Sequence, residues 1–245
     1  MNLFFQAWLP NGKPRAVLAI VHGAGDHSGR YERVVTPLVD SGFACYAYDM
    51  RGYGRSGGRR GHINAWSEYR DDLRIFLNLV RSHLPGTPIF LFGFSLGAMV
   101  ALDFVLRDPQ GLQGVILSGT PIEPAGIASP LKILVARVLS RYAPTFTFEL
   151  VASLDSVTRD PAIIDGLKKD PLHHNKVTAR WGTESLAIAE YVRSNAAALA
   201  LPVLFIHGSA DALNLPGGVQ RYYEQVTVAD KQIRIYPESR HETHG

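Results

Sequence analysis

The chain of 245 residues predicts an α/β fold, a mostly parallel central sheet with helices on both faces and a helical insertion between two later strands. Three observations predict it. Short β-rich apolar runs alternate with helical patterns. Those runs are nearly continuous in apolar residues, as strands covered on both faces require. The rhythm breaks once, from Pro121 to about Ala198, where no convincing central strand appears.

The first run is Arg15–His22 (RAVLAIVH). Arg30–Asp40 then reads as a helix, with Gly42 just past its end in the position that closes a helix. Phe43–Asp49 (FACYAYD) is the next strand. Asn64 reads as the N-cap of a second helix, in which Trp66, Tyr69, Leu73, Phe76, Leu77 and Val80 share one face. The remaining strands are Pro88–Phe94 (PIFLFGF), Gln113–Gly119 (QGVILSG), Pro202–Gly208 (PVLFIHG) and Lys231–Pro237 (KQIRIYP). Such alternation closes into a parallel sheet through right-handed crossovers. Inside the interruption, Leu131, Leu134, Val135, Val138, Leu139 and Tyr142 recur at helical spacing. The expected domains are 1–120 and 199–245 as two parts of one core, with 121–198 inserted as a helical cap.

Composition narrows the function classes. With 46% apolar and 19% charged residues, the chain is neither disordered, nor a coiled coil, nor collagen-like. A net charge of +3 is too mild to argue for a nucleic-acid partner, and none is expected. The single cysteine, Cys45, permits no intrachain disulfide framework. The N-terminal stretch MNLFFQAWLP has no basic leader region and meets Pro10 early. No run of about 20 smoothly apolar residues offers a membrane span. The expectation is a soluble, cytoplasmic protein, with peripheral contact with a lipid surface left open.

The strongest chemical signal is Gly93-Phe94-Ser95-Leu96-Gly97, between an apolar strand and the helical run AMVALDFVL. A GxSxG nucleophile elbow requires that context, because the turn is so tight that the flanking glycine positions of the motif must be small. A serine hydroxyl is a weak nucleophile until a base takes its proton, and a carboxylate must hold that base in the right tautomer. In hydrolases with this elbow the chain order is serine, acid, histidine. Asp211 follows one strand on the same sheet edge, and His241 follows the last strand. His244 rivals His241, while Glu238 and Asp230 compete less well with Asp211. Asp155 reads as cap surface, His207 as a satisfied core residue, and His83 as a helix-end cation. His173 and His174 fall in the cap without metal partners at useful spacing. The oxyanion of an acyl intermediate needs two N–H donors. They are expected from the amides of Leu96, after the nucleophile, and of Ala24, in the turn His22-Gly23-Ala24-Gly25.

The segments HGAGDHSGRYERV (His22–Val34), YDMRGYGRSGGRRGH (Tyr48–His62), GFSLG, IHGSADAL (Ile206–Leu213) and YPESRHETHG (Tyr236–Gly245) resemble the monoacylglycerol lipase and lysophospholipase family of α/β-hydrolases. The resemblance runs across nearly the whole chain, in the family's order. It implies the α/β-hydrolase fold, a cap over the nucleophile, and serine hydrolysis of single-chain lipid esters without a cofactor. Monoacylglycerols are the expected substrate, with a lysophospholipase or a general carboxylesterase as alternatives on the same triad and a non-catalytic binding protein as another class. It also implies Ser95 as nucleophile, Asp211 as acid, His241 as base and the Ala24 and Leu96 amides as oxyanion donors. Family members usually carry a further helix after the histidine loop, so an apolar patch, or a partner covering one, is expected on the sheet.

Two other patterns carry less. Gly52-Tyr53-Gly54-Arg55-Ser56-Gly57 matches GxGxxG, but Gly58-Arg59-Arg60-Gly61 follows instead of a helix, so no helix N-terminus is offered to a pyrophosphate. Its arginines, with Arg51, read as a solvated basic loop, or alternatively as an anionic head-group contact. The stripe from Leu131 to Tyr142 suits either packing on the core or a lipid interface. Phe146, Phe148 and Leu150 share one side of an alternating segment that could line an acyl tunnel.

Overall fold

The computed structural model describes residues 1–125, 130–150 and 153–243. Elements follow in chain order as β1 (Phe5–Trp8), β2 (Val17–Val21), α1 (Glu32–Asp40), β3 (Ala44–Tyr48), α2 (Ser67–His83), β4 (Ile89–Phe94), α3 (Leu96–Val105) and β5 (Gly114–Ser118). Then come α4 (Pro130–Tyr142), β6 (Thr147–Glu149), α5 (Leu154–Val157), α6 (Pro161–Lys169), β7 (Lys176–Thr178) and α7 (Ala179–Ser194). The chain returns to the sheet with β8 (Val203–Gly208), α8 (Pro216–Gln225) and β9 (Lys231–Tyr236).

Seven strands form one sheet in the order β1-β3-β2-β4-β5-β8-β9. All neighbours are parallel except β1, which runs antiparallel to β3 with Phe5 opposite Tyr48. The six expected central strands are all present. β1 is an addition: its half-exposed edge position needs no continuous apolar run, so FQAW carries little signal. The order reverses at β2, which has β3 on one side and β4 on the other. Ligands of doubly wound sheets bind outside the strand ends at such a switch point, and β4 delivers Ser95 there.

Both faces are covered, which explains the continuous apolar runs. β2 and β3 are buried at every residue. On one face α2, α3 and α8 pack through Leu73, Val100 and Tyr222 against Ala19, Leu91 and Phe205. α3 is buried along its whole length. On the other face α1 contributes Val35 against Ile20, Cys45 and Phe92. Farther along that face Phe90, Ile116, Leu204 and Ile206 are only half-buried.

The start of α2 differs from expectation. Ser67 is its first residue and no side chain caps it. Asn64 instead receives help: its backbone amide and side-chain amide both donate to the carboxylate of Glu68.

The elements between β5 and β8 contribute no strand to the large sheet. β6 and β7 pair only with each other, antiparallel. Asp160 caps α6 by accepting from the amide of Ala162, with Pro161 in the first turn where its missing N–H costs nothing. Thr178 caps α7 by accepting from the amide of Trp181. α4 packs on α7, with Ser140 Oγ 2.8 Å from Thr183 Oγ1 and Arg180 donating to the Ser140 carbonyl. Most of its apolar stripe is exposed, with Leu139 half-buried. Leu134 is 58% exposed and Val138 50%, so packing on the core does not account for the stripe.

The glycine-rich loop from Gly52 to Gly61 has a structural role that the sequence conceals. Its carbonyls hold the insertion: His174 Nε2 donates to Gly52 O at 3.0 Å and Thr178 N to Gly61 O at 3.0 Å. The His174 ring stacks on Tyr53 at 4.9 Å. Gly61 has φ +60°, and a Cβ there would lie 1.9 Å from the Lys176 carbonyl oxygen, so only glycine allows the approach. Arg55, Arg59 and Arg60 are exposed, as a solvated loop requires, while the preceding Arg51 is paired. Arg51 pairs with Glu68 at 2.8 Å and with Asp72 at 2.6 Å, and Arg55 lies over the Phe4 ring.

Candidate active site

Ser95 sits on the turn between β4 and α3 with φ +51° and ψ −115°, one of two described non-glycine residues with positive φ. For a residue with a Cβ this is a strained conformation, of the kind concentrated at functional sites. The flanking glycines make the turn possible. A Cβ on Gly93 would lie 2.5 Å from Gly97 O, and one on Gly97 would lie 2.1 Å from Val21 O. Gly23 lets the loop after β2 pass close by, since its Cβ would meet the Phe94 ring at 2.9 Å.

Asp211 and His241 come from turns after β8 and β9. His241 Nδ1 donates to Asp211 Oδ2 at 2.8 Å, with both side chains almost fully buried. Asp211 Oδ1 accepts the amides of Leu213 and Asn214, each at 2.9 Å. Burial pushes the Asp211 carboxyl upward, but hydrogen bonds from His207 and His241 outweigh it and hold the group well below the usual carboxylate range. The His241 ring packs on Phe94 at 4.9 Å. Behind it lies Gly119 (φ +58°), where a Cβ would stand 2.9 Å from His241 Cε1.

The histidine loop is tied to the insertion as well as to the sheet. Glu242 N donates to Val157 O at 2.8 Å, and Arg240 donates to the carbonyls of Asp155 and Thr158. Ala210 N donates to Ser239 O at 2.9 Å on the sheet side.

Ser95, His241, Ala24, Leu150 and Leu213 line two adjoining cavities. The larger, about 400 Å³, is mainly apolar, with Trp66, Met99, Trp181, Leu186 and Ala189 among its walls. The smaller, about 160 Å³, contains Asp26, Arg30, His173, His174 and Glu242. Arg30 lies between two carboxylates, 3.1 Å from Asp26 and 3.4 Å from Glu242. Burial raises the Glu242 carboxyl above its ordinary value despite the nearby guanidinium.

Sequence reasoning therefore names Ser95, Asp211 and His241, and the fold brings all three to one edge. Ala24 lines both cavities and Leu96 the larger one. The Leu96 amide is the first of α3, which helix geometry leaves without an intrahelical acceptor. Of the rivals, Glu238 lies on an exposed turn with φ +59°, and His244 lies outside the described residues. Only Leu150 of the alternating segment reaches the cavities, while Phe146 and Phe148 pack on each other and stay exposed. Sequence reasoning does not reach Asp26, Arg30 and Glu242, because they meet only in three dimensions. His207 is buried in the core as expected, and its Nε2 also stands 3.1 Å from Asp211 Oδ2. The separation of four residues at a strand end was the available signal.

A serine strained onto a strand–helix turn at a sheet's switch point, with an imidazole in the same cavity wall held from behind by a buried carboxylate, defines the serine hydrolases of the α/β-hydrolase fold. Residues 12–245 match the family described as "Serine aminopeptidase, S33". The chain is 32% identical to the monoacylglycerol lipase of Mycolicibacterium smegmatis, over 99% of its own length and 86% of that protein. It is 30% identical to the monoglyceride lipase of Rattus norvegicus, over 99% and 80%. The crystal structure of Paleococcus ferrophilus monoacylglycerol lipase superposes with a TM-score of 0.89 at 28% identity, covering 99% of this chain and 91% of that one. The chain belongs to this S33 family, and its fold is that of the α/β-hydrolases.

Proposed function

We propose that the chain hydrolyses monoacylglycerols, or closely similar single-chain lipid esters, to a fatty acid and glycerol through an acyl-enzyme. Ser95 Oγ attacks the ester carbonyl carbon and gives its proton to His241 Nε2. Asp211 holds the other ring nitrogen as Nδ1–H and stabilises the imidazolium that forms. The amides of Ala24 and Leu96 take the oxyanion. Collapse breaks the bond to glycerol, whose oxygen receives the proton from Nε2. Water, deprotonated by the same nitrogen, then attacks the acyl carbonyl and frees Ser95. No cofactor enters these steps. In this reading residues 121–198 are a cap whose helices wall the cavities.

The observation that carries the substrate is that Ser95 opens on two adjoining cavities, both mainly apolar, of which the smaller adds charged and polar side chains. The larger suits an acyl chain, and Asp26, Arg30, His173 and His174 in the lining of the smaller suit the hydroxyls of a glycerol. A lysophospholipid is a poorer fit. Its phosphodiester would enter the smaller cavity, where Asp26 and Glu242 flank the single guanidinium of Arg30. No described helix is long and apolar enough to cross a membrane. The outward apolar face of α4 supports peripheral contact with a lipid surface, from which a single-chain ester could enter.

Stoichiometric fluorophosphonate labelling that disappears in Ser95→Ala tests the nucleophile. Side-by-side hydrolysis of monoacylglycerol and lysophosphatidylcholine tests the substrate. Labelling that persists in Ser95→Ala, or faster turnover of the lysophospholipid, overturns the corresponding part.

A further inference from the structure

The carboxylate of Asp211 receives four donors, and one of them has no part in the mechanism above. Oδ1 takes two amides of its own turn. Oδ2 takes His241 Nδ1 at 2.8 Å and faces His207 Nε2 at 3.1 Å. His207 is completely buried. Its Nε2 also lies 2.8 Å from the carbonyl oxygen of Asn214. A carbonyl can only accept, so the proton of a neutral His207 must be on Nε2. That N–H is forked between the Asn214 carbonyl and Asp211 Oδ2. Nδ1 has no hydrogen-bond partner among the described residues, which suits a bare acceptor nitrogen and not a second buried N–H.

The surroundings leave the ring little freedom. β8 pairs His207 with Ile235 of β9, and the next residue, Gly208, abuts the histidine loop so closely that a Cβ would lie 2.1 Å from Arg240 O. Asn214, whose carbonyl fixes the tautomer, also donates its side-chain amide to Gly119 O, the residue backing the His241 ring. His207 thus touches the acid directly and is linked through Asn214 to the residue behind the base.

We propose that His207 is a positioning residue for the reaction: its Nε2–H, fixed in that tautomer by the Asn214 carbonyl, holds Asp211 Oδ2 at the angle from which that oxygen can accept from His241. It acts through Asp211 and touches no substrate. The inference rests on the assignment of Asp211 as the acid of the triad.

Isosteric variants test it. His207→Gln keeps an N–H donor near the Nε2 position, whereas His207→Asn places its amide near Nδ1 and leaves nothing facing Asp211. His207→Phe keeps the ring volume and removes both nitrogens. The readouts are kcat and KM on a soluble p-nitrophenyl ester, with melting temperature as the folding control. His207→Asn and His207→Phe should lose roughly tenfold to hundredfold in kcat with little change in KM, the scale of one lost hydrogen bond to a charged group. His207→Gln should stay within about threefold of the parent. In an Asp211→Asn background the same changes should cost less than about twofold, because the group they act on is gone. If one donor-free variant fails to fold, the other carries the comparison. If neither folds, a loss in His207→Gln as large as that of Asp211→Asn overturns the proposal. Equal losses in both backgrounds, or parent-like activity in the donor-free variants, also overturn it while leaving the triad intact. Parent-like activity of Asp211→Asn itself would bring down the triad assignment and this inference together.

Discussion

Gly97 lies against the Val21 carbonyl so closely that a Cβ on it would stand 2.1 Å from the oxygen, with His22 O at 2.5 Å. Both obstacles are backbone at the end of a central strand and cannot rotate away. Gly97→Ala should therefore push α3 off β2, costing about 3 kcal/mol or more and misplacing Ser95. Gly166, exposed within α6, has nothing within 4 Å of its Cβ position. Gly166→Ala should stabilise by about 0.5–1 kcal/mol through helix propensity. Thermal denaturation of the two variants, measured together, should give shifts of opposite sign.

Asp211→Asn should lower kcat by about 10⁴ while leaving the fold intact, since the amide cannot hold His241 in the productive tautomer. Single-turnover acylation measures this directly. A loss below tenfold would point to a different acid. Because Asp211 stays ionised far below the usual carboxylate range, activity lost between pH 5 and 7 should not be assigned to its protonation.

Glu242 gives a pH-dependent prediction. Burial raises its carboxyl in the folded state, so the native protein binds this proton more tightly than the unfolded chain. The charged form consequently opposes folding above the folded value, and the penalty fades as pH falls toward the ordinary glutamate range. Glu242→Gln should melt higher than the parent at pH 8, with the difference closing toward pH 4. Arg30 keeps Asp26 at 3.1 Å in the variant, so its charge is not stranded. Calorimetry at both pH values is the check, and a constant difference would contradict the prediction.

Gly182 faces the larger cavity with nothing within 4 Å of its Cβ position. Gly182→Leu places a side chain in that open space. The preferred acyl chain should shorten by several carbons with little loss on the shortest esters. A chain-length series on monoacylglycerols reads this out, and an unchanged profile would mean that the acyl chain runs elsewhere.

Leu134 and Val138 project from α4, away from its contact with α7. The double change Leu134→Glu, Val138→Glu should reduce flotation with phospholipid vesicles and slow hydrolysis of vesicle-borne monoacylglycerol. Turnover of a soluble p-nitrophenyl ester should not change, because neither residue lines the cavities. Equal losses on both substrates would argue against a lipid-facing role.

The sequence by itself determined six of the seven strands of the sheet, the elbow, and Ser95, Asp211 and His241 as the candidates for the triad. Strands buried on both faces must be apolar throughout, and GxSxG after such a strand leaves few conformations open. Chain order and strand ends then limited the acid and base to a few positions. Edge strand β1 was invisible because half-exposed FQAW resembles any loop. The stripe on α4 was legible as a helix face but not as an outward one, since periodicity reports that a face exists and not what it meets. Only the tertiary structure decided that GYGRSGGRRG anchors the insertion, that Asp26, Arg30 and Glu242 share one cavity, and that His207 stands against the acid. Each of these relationships depends on distances between segments far apart along the chain, or on which way a buried ring turns, and local residue patterns encode neither.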